Sequence, residues 1–143
     1  MRPRTVMTLV FFCLVLVASP AQGEEPDKIV VQHILIAFKK SVRNKPQERT
    51  KQQAKALAYQ LLDRAEAGEE FDALVKEFTN DAYPGIMIVT NAGAPRVAGG
   101  RTRSELVGKF GDLAFRLDVG ELGIANYHAT YAPYGWHVIK RLE

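Results

Sequence analysis

IVVQHILIAF, residues 29–38, is the stretch on which the fold of this chain turns. It is apolar throughout except at Gln32 and His33 and is rich in β-branched residues. Near-continuous apolarity over that length predicts a strand covered on both faces. An imidazole inside such a run is costly, about 1–3 kcal/mol if it is buried without a partner. A second apolar run with a central histidine, YGWHVIKRL, occupies Tyr134–Leu142. If the two strands lie side by side, His33 and His137 become cross-strand partners whose rings could hydrogen-bond each other.

Between these strands the periodicity is helical. Asn44 with Gln47 three residues on, and Pro46 in the first turn, predict the start of a long helix. Its apolar face is Ala54, Leu57, Ala58, Leu61 and Ala65, and Gly68 ends it. Phe71, Leu74, Val75 and Phe78 then follow the i, i+3, i+4, i+7 rule of a second, shorter helix. Residues 79–101 break the pattern with Pro84, Gly85, Gly93, Pro95, Gly99 and Gly100, leaving Ile86–Val89 as a strand fragment. Helical spacing returns at Leu106, Phe110, Leu113, Ala114 and Leu117, with Ser104 as its cap and with Gly108 and Gly111 splitting the segment. Leu122–Tyr127 and Trp136–Leu142 close the chain as strands. This order predicts an α+β fold, with helices packed on a small, mostly antiparallel sheet.

The N-terminus reads differently from the rest. Arg2 and Arg4 precede the uncharged apolar run Val6–Val17, and Ala21-Gln22-Gly23 supplies small residues before Glu24. That is the three-part pattern of a cleaved secretory signal over residues 1–23, too short for a membrane span of roughly 20 apolar residues. Residues 24–143 are then expected to form one domain, exported to the periplasm or medium and not held stably at a membrane. Its charge is nearly balanced: without Arg2 and Arg4 the 19 basic residues become 17, against 16 acids, a net +1. Such a balance gives no sign of a nucleic-acid face. The only cysteine, Cys13, lies in the signal segment, so the remaining chain must be held by its core alone. Three dispersed histidines offer no metal-ligand spacing.

Five segments together resemble the parvulin-type peptidyl-prolyl cis–trans isomerases: VQHILIAF, the Gly68–Phe71 step, FTND at Phe78–Asp81, LVGKFGDLAFRLDVGEL at Leu106–Leu122, and GWHVIKRLE at the C-terminus. The resemblance spans about Ile29 to Glu143 and implies a four-stranded antiparallel sheet wrapped by about four helices. It implies that His33 and His137 are the family's paired strand histidines and that Asp81 takes its cysteine-or-aspartate position. Leu106 and Phe110 would be two walls of an apolar proline pocket, an i, i+4 pair facing one way. Thr130 would supply a hydroxyl near the last strands. The family's Gly-Gly-Asp-Leu-Gly segment is missing; YPGIMIVTNAGAPRVAGG, Tyr83–Gly100, stands in its place, with Met87 and Ile88 as candidates for the third wall.

The implied activity is rotation about X–Pro bonds in unfolded or exported polypeptides. It calls for no metal, cofactor or covalent intermediate, only a pocket that favours the twisted amide. The same segments would also suit a non-catalytic module that binds unfolded chains. Lys39, Lys40, Arg43 and Lys45 form a basic loop that either recognises an acidic residue ahead of the proline or is simply solvated.

Overall fold

The computed structural model describes residues 24–143, and the signal segment expected at 1–23 lies outside the described residues. The quoted stretch becomes strand β1, Lys28–Ile36. The other strands are β2 (Ile86–Thr90), β3 (Arg101–Thr102), β4 (Leu122–Ala125) and β5 (Trp136–Arg141). They form one sheet in the order β3-β2-β1-β5-β4, so β1 is its centre. All pairings are antiparallel except the short one between β2 and β3.

Burial on both faces follows from this central place. Alternate residues of a strand point to opposite sides. Ile34 and Ile36 join Trp136 and Val138 beneath the helices α1 (Lys51–Glu66) and α2 (Phe71–Phe78). Ile29 and Val31 join Ile139 against α3 (Gly108–Arg116) on the other side. Two hydrophobic cores therefore flank one sheet, and the two histidines face the α3 side. Among the described residues no helix is long and apolar enough to cross a membrane.

The α+β class and the mostly antiparallel sheet match the reading of the sequence, but the details differ. Among the described residues there are five strands, not four, and three α-helices with a 3-10 turn at Arg103–Glu105 in place of about four helices. The extra strand, β3, lies against β2 because Gly100 packs where a Cβ would stand 3.1 Å from the Ile88 carbonyl. Helix α1 is capped by Thr50 rather than by Asn44. Thr50 and Gln53 form a reciprocal capping box, while residue 49 is tied backwards, its carbonyl accepting from the Lys39 N–H at 3.0 Å. The Arg49 guanidinium binds the Ala37 carbonyl and Asn80, which keeps the preceding segment out of the helix. Thr102, not Ser104, caps the turn before α3, paired with Glu105. Gly68, at φ +99°, stands just beyond the end of α1, as its position in the sequence predicts.

Candidate functional site

His33 is held from two directions. Its backbone N–H and its ring Nδ1 both meet the Gly85 carbonyl oxygen at 3.0 Å. A carbonyl only accepts, so Nδ1 carries a hydrogen. Nε2 stands 3.4 Å from Oδ2 of Asp81. A carboxylate also only accepts, so this contact is a hydrogen bond in the imidazolium form, with a hydrogen on both ring nitrogens. Gly85 fits because it has no side chain: a Cβ would lie 2.6 Å from the His33 carbonyl oxygen, and its φ is +67°.

Asp81 arrives at this place through the FTND segment. The Thr79 hydroxyl accepts from the Leu35 N–H, Asn80 donates its N–H to the Leu35 carbonyl, and the Asn80 side-chain oxygen accepts from the Ala37 N–H. The segment is thereby laid along β1, and the next residue is carried up to His33. The hydrogen bond with His33 holds the Asp81 carboxyl well below the usual carboxylate range, against the opposing effect of partial burial. The Ala82 N–H and the Lys45 ammonium, 3.5 Å away, act in the same direction.

The two histidines are not hydrogen-bonded to each other. The register pairs His33 with Ile139 and His137 with Leu35, which makes the imidazoles diagonal neighbours. Their ring centres are 5.8 Å apart and tilted by 44°. Phe110 fills the angle between them, its ring edge-on to both at 5.3 Å. Nδ1 of His137 is buried with no hydrogen-bond partner among the described residues. Burial pushes the His137 ring down to about 3, and charge on His33 adds to that, so it is neutral near pH 7.

An open cavity of about 320 Å³ lies over His33 and Asp81, lined further by Tyr83, Met87, Ile88 and Arg101. Met87 and Ile88, the candidates for a third wall, are among its lining residues. Leu106 and Phe110 do not line it. Phe110 is buried, and Leu106 and Met87 pack half-buried against the same core cluster. Leu106 is also not helical: it has extended backbone (φ −91°, ψ 157°) between the 3-10 turn and α3, so the i, i+4 argument for this pair does not apply. Thr130 lies on an exposed loop, where its N–H donates to Nδ1 of His128. Among the described residues it has no hydrogen bond to His33, Asp81 or His137. The described residues contain no cluster of three or more metal-ligating side chains.

Gln32, Asp72 and Tyr83, which hold this site together, are not evident as site residues in the sequence. Nε2 of the buried Gln32 donates to Asp72 at 2.7 Å and to the Pro84 carbonyl at 2.9 Å. Asp72 also accepts from the Tyr83 hydroxyl at 2.9 Å. This clamp fixes the turn that presents Gly85. The one available signal was Gln32 itself, a second polar residue in an otherwise apolar strand.

The mostly antiparallel sheet flanked by helices is a parvulin-type α+β fold. The chain belongs to the PPIC-type PPIASE domain family, whose model matches residues 15–143. Among curated proteins it is similar to Chaperone SurA of Pseudomonas fluorescens, at 34% identity over 117 residues, which covers 81% of this chain and 23% of that protein. Chaperone SurA of Pseudomonas syringae pv. tomato is likewise 34% identical over 122 residues, covering 85% of this chain and 24% of that protein. The chain thus spans about a quarter of the length of these relatives. Two solved structures share the fold at 18% identity. TbPIN1 has a TM-score of 0.60, with 82% of this chain and 98% of that one covered. The peptidyl-prolyl isomerase ESS1 from Candida albicans has a TM-score of 0.58, with 84% and 65% covered.

Proposed function

We propose that this protein is a peptidyl-prolyl cis–trans isomerase acting on X–Pro bonds of exported polypeptides. The observation that carries the reading is the His33–Asp81 pair, fixed by the Gly85 carbonyl, at an open cavity with the apolar wall Met87–Ile88. The barrier to be lowered is about 18–20 kcal/mol and comes from amide resonance, which places negative charge on oxygen and positive charge on nitrogen. The cis and trans forms differ by only about 0.5–1 kcal/mol, so the enzyme need only favour the twisted state between them. A proline ring seated on Met87 and Ile88 would leave the preceding carbonyl free to turn above His33 and Asp81. An ionised Asp81 near that carbonyl oxygen disfavours the charge-separated planar amide more than the twisted one. His33 positions Asp81, and Phe110 and His137 hold His33 from beneath. Leu106 and Thr130 belong to the substrate side of this proposal, as flanking contacts outside the cavity lining.

A protease-coupled assay on Ala-Xaa-Pro-Phe peptides tests the reading. Acceleration over the uncatalysed rate for at least one Xaa is expected, and its absence for every Xaa overturns the enzyme. The similarity to proteins named as chaperones favours a second reading, a module that binds unfolded segments without turnover. Suppression of aggregation by a protein without isomerase activity would establish that one. Export through cleavage before Glu24 belongs to both readings. Mass spectrometry of the exported protein should find a new N-terminus at Glu24, and intact Arg2 and Arg4 would refute it.

A further inference from the structure

We propose that the substrate groove continues past the proline cavity and that Arg101 makes it selective for an aspartate or glutamate close to the proline. This rests on the isomerase reading and names the polypeptides that its site prefers. A second depression, of about 580 Å³, is lined by Arg96, Val97, Ala98, Gly99, Gly100, Arg101 and Glu105. It shares Gly99 and Arg101 with the cavity over His33 and Asp81. The two therefore meet at Arg101, and an extended chain with its proline in the first would run over Gly99 into the second.

The charges around this groove are answered within the protein, with one exception. Asp81 is met by His33 and Lys45. Glu105 accepts from the Thr102 N–H at 2.7 Å and from Arg96 at 2.9 Å. Neighbouring Arg103, which lines neither depression, is engaged by Glu25 and Asp112. The exposed Arg101 guanidinium has no ion pair or side-chain hydrogen bond among the described residues. Its backbone is nonetheless anchored. Arg101 pairs with Val89 in the sheet, and its carbonyl accepts from the Thr90 hydroxyl at 3.3 Å. A cation on an anchored backbone, with an open donor fork, suits a carboxylate, which a guanidinium can bind through two parallel hydrogen bonds.

The test uses prolyl peptides with Glu, Gln or Lys placed in turn at the two positions before and the two after proline. Turnover is read by NMR exchange spectroscopy, and binding by fluorescence anisotropy of labelled peptides. For at least one position the Glu peptide should exceed its Gln counterpart by about three- to tenfold, between an exposed ion pair and a charge-assisted bidentate bond. That ratio should approach one in Arg101→Gln, recover partly in Arg101→Lys, and shrink as salt rises. Equal handling of Glu and Gln peptides at all four positions overturns the proposal. A preference that survives Arg101→Gln but is lost in Lys40→Gln or Arg43→Gln overturns it too, by assigning the selectivity to the basic loop. Absence of turnover with any peptide would defeat the isomerase reading alone, since binding still reports the carboxylate preference. Absence of binding to every peptide defeats both.

Discussion

The Gly85 carbonyl oxygen accepts two hydrogen bonds from His33, one from the backbone and one from the ring, each 3.0 Å long. One atom thus fixes both the pairing of β1 with the turn before β2 and the orientation of the imidazole. The proposed chemistry depends on that coupling, because Nε2 meets Asp81 only while Nδ1 is held.

Gly85→Ala should therefore damage stability and activity together. Its Cβ would lie 2.6 Å from the His33 carbonyl oxygen, at a φ that favours glycine. A loss of about 1–3 kcal/mol is expected from the strain, with turnover down about 10–100-fold from a displaced His33. Denaturant melts and the coupled assay measure the two effects. A variant with normal turnover would show that the ring needs no such anchor.

Asp81→Asn separates charge from shape. The folded protein holds this carboxyl below its ordinary range, so the ionised form is favoured by folding. Its contribution is present above about pH 4, the unfolded value, and is lost as pH falls below that. Because Asp81 is about half exposed (47% for the side chain), the contribution is small, about 0.2–1 kcal/mol. The variant should have a flatter acid limb of stability than the parent and much lower turnover near neutral pH. Undiminished turnover would remove the carboxylate from the mechanism.

His137→Leu should split stability from function. The His137 ring is held down to about 3 in the fold against about 6.5 when unfolded. Between those values the unfolded chain binds the extra proton, so the parent loses stability as pH falls from about 6.5 toward 3. The variant lacks this dependence. It also removes the unpartnered Nδ1, so it should melt no lower than the parent at pH 7, with a gain of up to about 1 kcal/mol. Turnover should fall as Phe110 and His33 lose a neighbour. Thermal melts at pH 7, 5 and 4 would decide, and an unchanged pH profile would count against a buried neutral ring.

Phe110→Leu tests the packing beneath the site more cleanly than Phe110→Ala, which would cost about 3–5 kcal/mol and endanger the fold. The leucine variant should lose about 1–2 kcal/mol, from reduced volume and the two lost edge contacts to imidazole. It should stay folded with lower kcat and little change in KM, since Phe110 does not line the cavity. A raised KM with unchanged kcat would place Phe110 in direct contact with substrate.

The sequence by itself determined the local structure and the class of fold. The apolar runs at Ile29–Phe38 and Trp136–Leu142, and the helical faces of Ala54–Ala65 and Phe71–Phe78, reflect burial patterns that side-chain chemistry imposes within a few residues. It also singled out His33 and His137, because polar groups stand out in apolar runs, whereas Asp81 was indicated only by the resemblance to the parvulins. Only the tertiary structure decided how these groups meet. The histidines are diagonal rather than paired because strand register depends on turns and contacts far along the chain. The cap of α1 moved to Thr50 because Arg49 is held by Ala37 and Asn80, a contact that no local signal reveals. The partners of His33 come from a glycine carbonyl and a loop 48 to 52 residues away. Backbone carbonyls carry no sequence signature, so a site that one of them orients becomes visible only once the chain has folded around it.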